Sequence, residues 1–482
     1  MPRDTIGTLR NVSISVLCDN LLAVRWLVFG SYDVSRHPRV GVLVQGLRAA
    51  GDQVEELNVP LSVDTAARVA ALRQPWRLPL VAGKLARCWL LLALRSRRHR
   101  RAIRRGSAEA VHGVLVGYLG HFDVHLARWL FRGTPIVLDH LVSAAGTARD
   151  RHLVERGGLR DRLLRIVDDA ALRQADIAVV DTEENLASLP AHARDRGVVV
   201  PVGAGTEWFA AGGRANLAAA GGVTSTGGDG AAGKDGGTTW DGAPHAAPGR
   251  LRVVFVGLYT PLHGTVTVGT ALALLADDPR IEVTMVGTGQ DLPACRRAAA
   301  GNPRVTWYSW IPAAELPRCV ASHHVALGIF GDTDKALRVV PTKVFQGAAA
   351  GCAVVTSDTV PQRRALGDAA VFVPPGDPEA LAAALRGLAD DPDRVARLRA
   401  AARRRAAERF APVTVVAPLR HRLAAVVALP GRRAAVVGTP VRHRTGGRIF
   451  SGGEASSGSV ATPRDTADAM PTTGVERRLS DG

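Results

Sequence analysis

Short, unbroken apolar runs alternate along this chain with longer segments whose apolar residues recur every three or four positions. The first run, VRWLVFGSYD (Val24–Asp33), ends in polar residues and leads into VGVLVQGLRAAG, which has helical spacing. AVHGVLVGYL, TPIVLDHLVS and ADIAVVDTEEN repeat the pattern. LRVVFVGLYT, IEVTMVGTGQ, HHVALGIFGD, CAVVTSD and AAVFVPPGD carry it through the second half, between alanine-rich helical stretches. Strands that are apolar on both faces belong in parallel sheets covered by helices. The pattern therefore predicts an α/β protein with two Rossmann-like parallel-sheet domains facing a cleft. Ligands of such sheets gather beyond the carboxyl ends of the strands, where polar loops meet helix N-termini.

Two segments break the pattern. Residues 210–249 are rich in Gly, Ala and Thr with few apolar anchors, and the chain from about Arg432 onward is rich in Gly, Ser, Thr and Arg. Both read as disordered, the first as a low-complexity linker and the second as a tail. The expected organisation is a flexible extension at 1–23, a first domain at 24–209, the linker at 210–249, a second domain at 250–430 and the tail at 431–482. A length of 482 residues accommodates that arrangement, since domains run to about 100–200 residues.

A net charge of +17 raises nucleic acid or an anionic membrane as partners. Four lysines (Lys84, Lys234, Lys335 and Lys343) stand among many arginines, alanines and glycines, which reads as compositional bias as much as a basic patch. No nucleic-acid motif or aromatic stacking platform accompanies the charge, so no nucleic-acid partner is expected. Cys18, Cys88, Cys295, Cys319 and Cys352 are scattered, with neither zinc spacing nor a disulfide framework, which fits a reducing cytoplasm. The N-terminal residues lack a signal-peptide pattern, and no apolar run approaches the roughly 18–20 residues of a membrane span. A cytoplasmic protein, peripheral on the inner face of the membrane if attached at all, is expected. The segment at 84–106, KLARCWLLLALRSRRHRRAIRRG, joins an apolar block to a basic one and is the candidate for that contact. A surface helix with solvated arginines is the plainer reading.

Candidate chemistry concentrates in the second half. Gly257 ends one strand, and His263 and Gly264 precede a helix from about Thr265, a setting in which backbone amides can approach an anion. Gly287 ends the next strand. In VPTKVFQGAAAGCAVV, Thr342 is a plausible helix cap, and Lys343 and Gln346 share one face, an amine for phosphate and an amide for ribose hydroxyls. In the first half, Arg36, His37 and Arg39 lie in the first strand–helix loop, facing the cleft, as candidate contacts to phosphate or acceptor, with a solvated loop as the plainer reading. His121, Asp123 and His125 have a spacing in which a metal can be imagined, but a further ligand is lacking and no metal is expected.

FVGLYTPLHG, VTMVGTGQD, VTWYSWIP, PTKVFQGAAAGCAVVTSD and AAVFVPPGDPEALAAAL follow one another in an order that resembles the family 4 (group 1) glycosyltransferases of the GT-B fold. The resemblance implies a nucleotide-sugar donor on the second domain, an acceptor on the first, transfer with retention and no bound metal or other cofactor. The donor is expected to be UDP- or GDP-linked, and the acceptor a glycan or lipid-linked glycan of polysaccharide biosynthesis. It also implies that base contacts run through the backbone near Trp310 and Ile311. By the same resemblance His140 lies closest to the reacting sugar with Asp139 beside it, and Thr182 stands where relatives often carry serine. The family's two glutamates fall on Arg338 and Gln346, and its basic pair in the first loop is missing, with Leu258 after the glycine. Diphosphate binding then rests on Lys343, His263 or Arg338 and on backbone amides. The substituted glutamates leave open a degenerate protein that binds a nucleotide or glycan without turnover.

Overall fold

The computed structural model describes residues 23–34, 37–61, 76, 78–105, 111–118, 120–141, 143–220 and 249–428. The expected extension at 1–23, the tail and Arg36 lie essentially outside the described residues. In the first lobe Arg25–Gly30 (β1), Arg39–Ala49 (α1), Gln53–Asn58 (β2), Leu78–Arg104 (α2), Gly113–Val116 (β3) and Asp123–Leu130 (α3) follow in order. Ile136–Asp139 (β4), Ala144–Asp150 (α4), Leu159–Gln174 (α5), Ile177–Val180 (β5), Glu183–Ala187 (α6), Ala191–Arg194 (α7) and Gly197–Val199 (β6) complete it. The helix Thr206–Ala220 (α8) leads to the second lobe. There Leu251–Val256 (β7), Thr265–Leu274 (α9), Ile281–Val286 (β8), Leu292–Ala298 (α10), Val305–Tyr308 (β9), Leu316–Ala321 (α11) and Val325–Leu327 (β10) form one half. Thr342–Ala349 (α12), Ala353–Ser357 (β11), Val360–Leu366 (α13), Ala370–Val373 (β12), Pro378–Asp390 (α14), Pro392–Arg409 (α15) and Pro412–Val427 (α16) form the rest.

The strands pair in parallel, in the orders β2-β1-β3-β4-β5-β6 and β12-β11-β10-β7-β8-β9. Each sheet reverses its winding once, between β1 and β3 in the first and between β7 and β10 in the second. Those reversals open the crevices in which doubly wound folds bind ligands. β3, β4, β5 and β11 are buried along their whole length, as continuous apolar runs require.

Two helices cross the boundaries expected from sequence. α8 occupies the start of the segment expected to be linker, because Trp208 and Ala211 pack into a core with Val344, Phe345 and Ala348 of the second lobe. A Cβ on Gly212 would come within 2.6 Å of the Ala349 carbonyl, so only glycine admits this approach. α16, expected in the second domain, packs on the first: Val415, Val416, Leu419 and Leu423 bury against Trp26, Val40, Leu43 and Leu47. Arg420 clamps Asp52 through two hydrogen bonds of 2.8 and 2.9 Å. α15 and α16 together make the stretch among the described residues that is long and apolar enough to cross a membrane. The core packing of α16 accounts for its apolar positions.

Candidate functional site

The crevice between β7 and β10 gathers most of the residues expected to bind a donor. Gly257 follows β7, and a Cβ there would lie 2.6 Å from Lys343 Nζ. Lys343 rises from the first turn of α12 with its stem partly exposed, and its ammonium nitrogen is buried without a hydrogen-bond partner. That nitrogen stands 3.7 Å from the centroid of the Phe255 ring. Burial holds its pKa well below the usual lysine range. α12 begins after Pro341, and no side chain caps it; the expected Thr342 cap is not made, because Thr342 is already the first helical residue. α9 begins after Gly264, also without a side-chain cap. Gly264 adopts the left-handed conformation, φ 59°, with a Cβ position 2.4 Å from the Gly331 amide nitrogen. Two helix N-termini, each free of side-chain caps, thus open beside one buried amine.

His263 closes the loop. Its Nδ1 donates to the Leu258 carbonyl. Burial, with the positive charges of Lys343, Lys335 and Arg151, drives its pKa well below the usual range. A neutral ring with its proton on Nδ1 presents a lone pair at Nε2, so it does not donate to phosphate unless it is protonated. Gly287 sits so close to Gly257 that a Cβ would fall 1.9 Å from its carbonyl oxygen. Gln346 lies one turn beyond Lys343, half-buried. The small residues that follow have a packing role: a Cβ on Gly347 would stand 2.6 Å from Ala326 of β10, and Ala348 to Ala350 are buried. Ile311 is buried against Val286 and Cys319, whereas Trp310 is exposed.

Arg338 departs from expectation. Its guanidinium turns back to the Asp334 carbonyl at 2.8 Å, and its own carbonyl accepts from Thr182 Oγ1 at 2.7 Å. It secures the seam between the lobes and does not reach toward Gly257.

In the first lobe His140 follows β4, buried, with Nδ1 lacking a partner. Its ring stands edge-on to His121, centroids 5.4 Å apart. His121 Nε2 lies 3.0 Å from Asp168 Oδ1, close enough for an ion pair but too bent for a good hydrogen bond. Burial and the charge of His121 lower the His140 pKa to about 4, with Asp168 opposing. Burial works against the Asp168 carboxylate, but contacts from His121, Ser143 and Ala144 outweigh it and bring its pKa below the usual range.

Asp139, expected beside the chemistry, is turned away from it. It is buried against Arg39 Nε at 3.3 Å, and Arg39 continues to the Val200 carbonyl at 2.9 Å and to that of Pro201. This pair ties α1 and β4 to the end of β6, so Arg39 is no cleft contact either. His37 rests on Tyr118, ring centroids 4.5 Å apart. Asp123 accepts from the Ser31 amide at 2.7 Å, from Ser31 Oγ at 2.8 Å and from Trp89 Nε1 at 2.8 Å. Both its oxygens are engaged, and no three metal-ligating side chains converge among the described residues.

Sequence reasoning missed the seam. Lys335 Nζ donates to Thr147 Oγ1 at 3.0 Å, Thr333 Oγ1 to Asp150 at 2.8 Å, and Arg364 holds Glu184 at 2.7 and 3.0 Å. The rarity of lysine was the one available signal for Lys335. The pairing partners come from the other lobe, nearly two hundred residues away, and leave no local pattern.

Two doubly wound lobes joined in this way define the GT-B fold. Residues 250–391 match the family model described as Glycosyl transferases group 1, so the resemblance read from the second half holds. No curated protein matches the chain in sequence. Among solved structures, sucrose-phosphate synthase of Thermosynechococcus elongatus is 16% identical with a TM-score of 0.56, over 84% of this chain and 100% of that one. A UDP-forming α,α-trehalose-phosphate synthase of Burkholderia vietnamiensis is 13% identical with a TM-score of 0.54, over 85% and 99%. The Anabaena HepE protein, in complex with UDP-glucose, is 13% identical with a TM-score of 0.52, over 85% and 100%. At these identities the likeness is one of fold.

Proposed function

We propose that the protein transfers a sugar, with retention, from a nucleoside-diphosphate sugar to a glycan or lipid-linked glycan in polysaccharide biosynthesis. UDP is the preferred carrier, in keeping with the UDP and UDP-glucose complexes of the similarly folded HepE protein, and GDP the next. The observation that carries this reading is the Lys343 ammonium, buried without a hydrogen-bond partner beneath Gly257. A buried cation with no counter-charge is costly unless an anion arrives. As the bond from sugar to diphosphate breaks, negative charge grows on the leaving oxygen, and Lys343 with the amides opening α9 and α12 lowers that energy. His140, neutral at physiological pH, hydrogen-bonds the sugar without transferring a proton to it. Movement of the lobes about their seam brings sugar and acceptor together and excludes water.

Calorimetry with UDP, GDP, ADP and TDP tests the reading; UDP is expected to bind, and failure of all four would refute it. Arg338, in the place of a family glutamate and turned away from the crevice, favours one other reading, nucleotide binding without turnover. Release of UDP from UDP-glucose with an acceptor mixture, faster than with water alone, excludes it.

Docking to an anionic membrane fits the helical layer of the first lobe. α2, α3 and α5 share one core on the sheet through Leu92, Val124 and Leu172. Outside that core they expose Leu90, Leu94, Trp129, Leu163 and Ile166, set among arginines. Together with a lipid-linked acceptor and buried free thiols at Cys88, Cys295, Cys319 and Cys352, this suits the cytoplasmic face of a membrane. Cosedimentation with phosphatidylglycerol vesicles is expected and should fall on Trp129→Glu with Leu163→Glu; undiminished sedimentation would remove the assignment.

A further inference from the structure

The first loop of the donor crevice lacks the cations its chemistry calls for: Leu258 follows Gly257, and His263 is held neutral. Lys343 alone sits under the loop, while a leaving diphosphate carries more than one negative charge. The opposite wall of the crevice is the loop after β10, which runs from Gly328 past Lys335 to α12.

We propose that Lys335 is a second donor-phosphate ligand, which rests on Thr147 of the first lobe and turns to the terminal phosphate when a nucleoside diphosphate binds. The proposal deepens the donor-site reading above and rests on it.

The loop that carries Lys335 lies against the Gly257 loop: the Phe330 amide donates to the His263 carbonyl at 3.1 Å, a Cβ on Gly331 would come within 2.3 Å of the Pro261 carbonyl, and the charge of Lys335 acts on His263. Its ammonium can donate three hydrogen bonds, yet among the described residues it makes one, to Thr147 Oγ1 at 3.0 Å. No carboxylate comes within 4.0 Å of it among those residues; Asp150 and Asp181 act on it only through their fields. Asp150 accepts from Thr333, and Asp181 is held by Asn185 at 2.6 Å. A lysine whose purpose was to bolt the lobes together would be expected to close on one of these carboxylates, as Arg364 closes on Glu184. Arg151 and Arg338 add positive charge around it. With Asp150 and Asp181 engaged elsewhere, Lys335 keeps donors that no carboxylate takes up, and an incoming diphosphate supplies their acceptor. The lysine stem, with its rotatable bonds, can pass from a hydroxyl to a phosphate without moving the backbone.

Calorimetry with UDP and UMP on the full chain decides the matter. Lys335→Ala is expected to weaken UDP binding tenfold or more and to leave UMP within twofold, because the contact is to the terminal phosphate. Thr147→Val removes the resting bond and keeps the cation, so UDP affinity should hold or rise. If the wild type binds neither nucleotide, the donor-site reading falls and Lys335 with it. If the wild type binds UDP and Lys335→Ala binds it equally, only the Lys335 assignment falls. Equal losses in Lys335→Ala and Thr147→Val would make the lysine a strut between lobes and overturn the proposal.

Discussion

The two crevices of this protein lie at the same place in two similar sheets, yet their polar groups are used differently. In the first lobe the carboxylates of Asp123 and Asp168 accept from several donors each, and Asp139 closes on Arg39. These groups hold the lobe together, and the buried atoms left without a partner beside them include Nδ1 of uncharged His140 and the second oxygen of Asp139, neither of them a lone cation. In the second lobe the Lys343 ammonium, beside the starts of α9 and α12, has no hydrogen-bond partner. A completed network serves the fold, whereas an incomplete one that is nonetheless buried marks where a ligand completes it.

The largest effect expected from this contrast falls on stability in the first lobe. Arg39→Ala leaves Asp139 buried without its cation and two carbonyls without a donor. Removing one partner of a buried pair costs about 3–5 kcal/mol, to be read as a lower urea midpoint at constant slope. Arg173→Ala breaks an exposed one-turn pair with Asp169 and should cost under about 0.5 kcal/mol. If the two variants unfold alike, the Arg39 pair is no internal support, and Asp139 returns as a candidate for chemistry.

The same contrast explains what the sequence made legible. Central strands such as VVFV of β7 and AVVTS of β11 are apolar on both faces and announce themselves. Three edge strands escaped as strands, β2, β6 and β9, because a sheet edge is half-exposed and QVEELN carries no continuous apolar run. α16 was assigned to the wrong lobe because its apolar stripe says that it must bury and not against what. Gly257, Gly264 and Lys343 stood out in the sequence, and the structure brings them together, because close approach of backbone restricts residue type locally. Asp139 was misplaced because a strand-end carboxylate looks the same whether it faces a cleft or an arginine a hundred residues away. Lys335 was passed over for the same reason: its partners are assembled by tertiary structure alone.

In the second lobe the expected effect is on binding. Lys343→Met keeps the packing over Phe255 and removes the charge. Loss of a charge-assisted hydrogen bond to phosphate is worth roughly 1.5–3 kcal/mol, so UDP affinity should drop about ten- to a hundredfold while the urea midpoint holds or rises. The rise follows because the variant no longer buries an unpaired amine. Retained affinity in Lys343→Met would place the diphosphate elsewhere and erase the difference between the crevices.

The smallest and most specific effect is on protons. In the free protein the Lys343 pKa is depressed by burial, so the unfolded chain holds more protons than the folded one between that depressed value and the ordinary lysine range. Stability contributed by this group therefore rises with pH across that interval. A bound diphosphate reverses the preference, because the charged amine is then paired, and its pKa climbs back. Binding must take up protons in the same interval, and affinity must weaken as pH rises, opposite in sign to the stability trend. His263, also depressed in the free protein, adds uptake of the same sign lower on the scale. UDP titrations in buffers of different ionisation enthalpy, kept above the terminal phosphate's own pKa of about 6, read the uptake directly. Lys343→Met should lose the part that belongs to the lysine. Proton release on binding, or uptake unchanged in that variant, would mean that the buried amine already has its counter-charge and that the two crevices differ less than their geometry indicates.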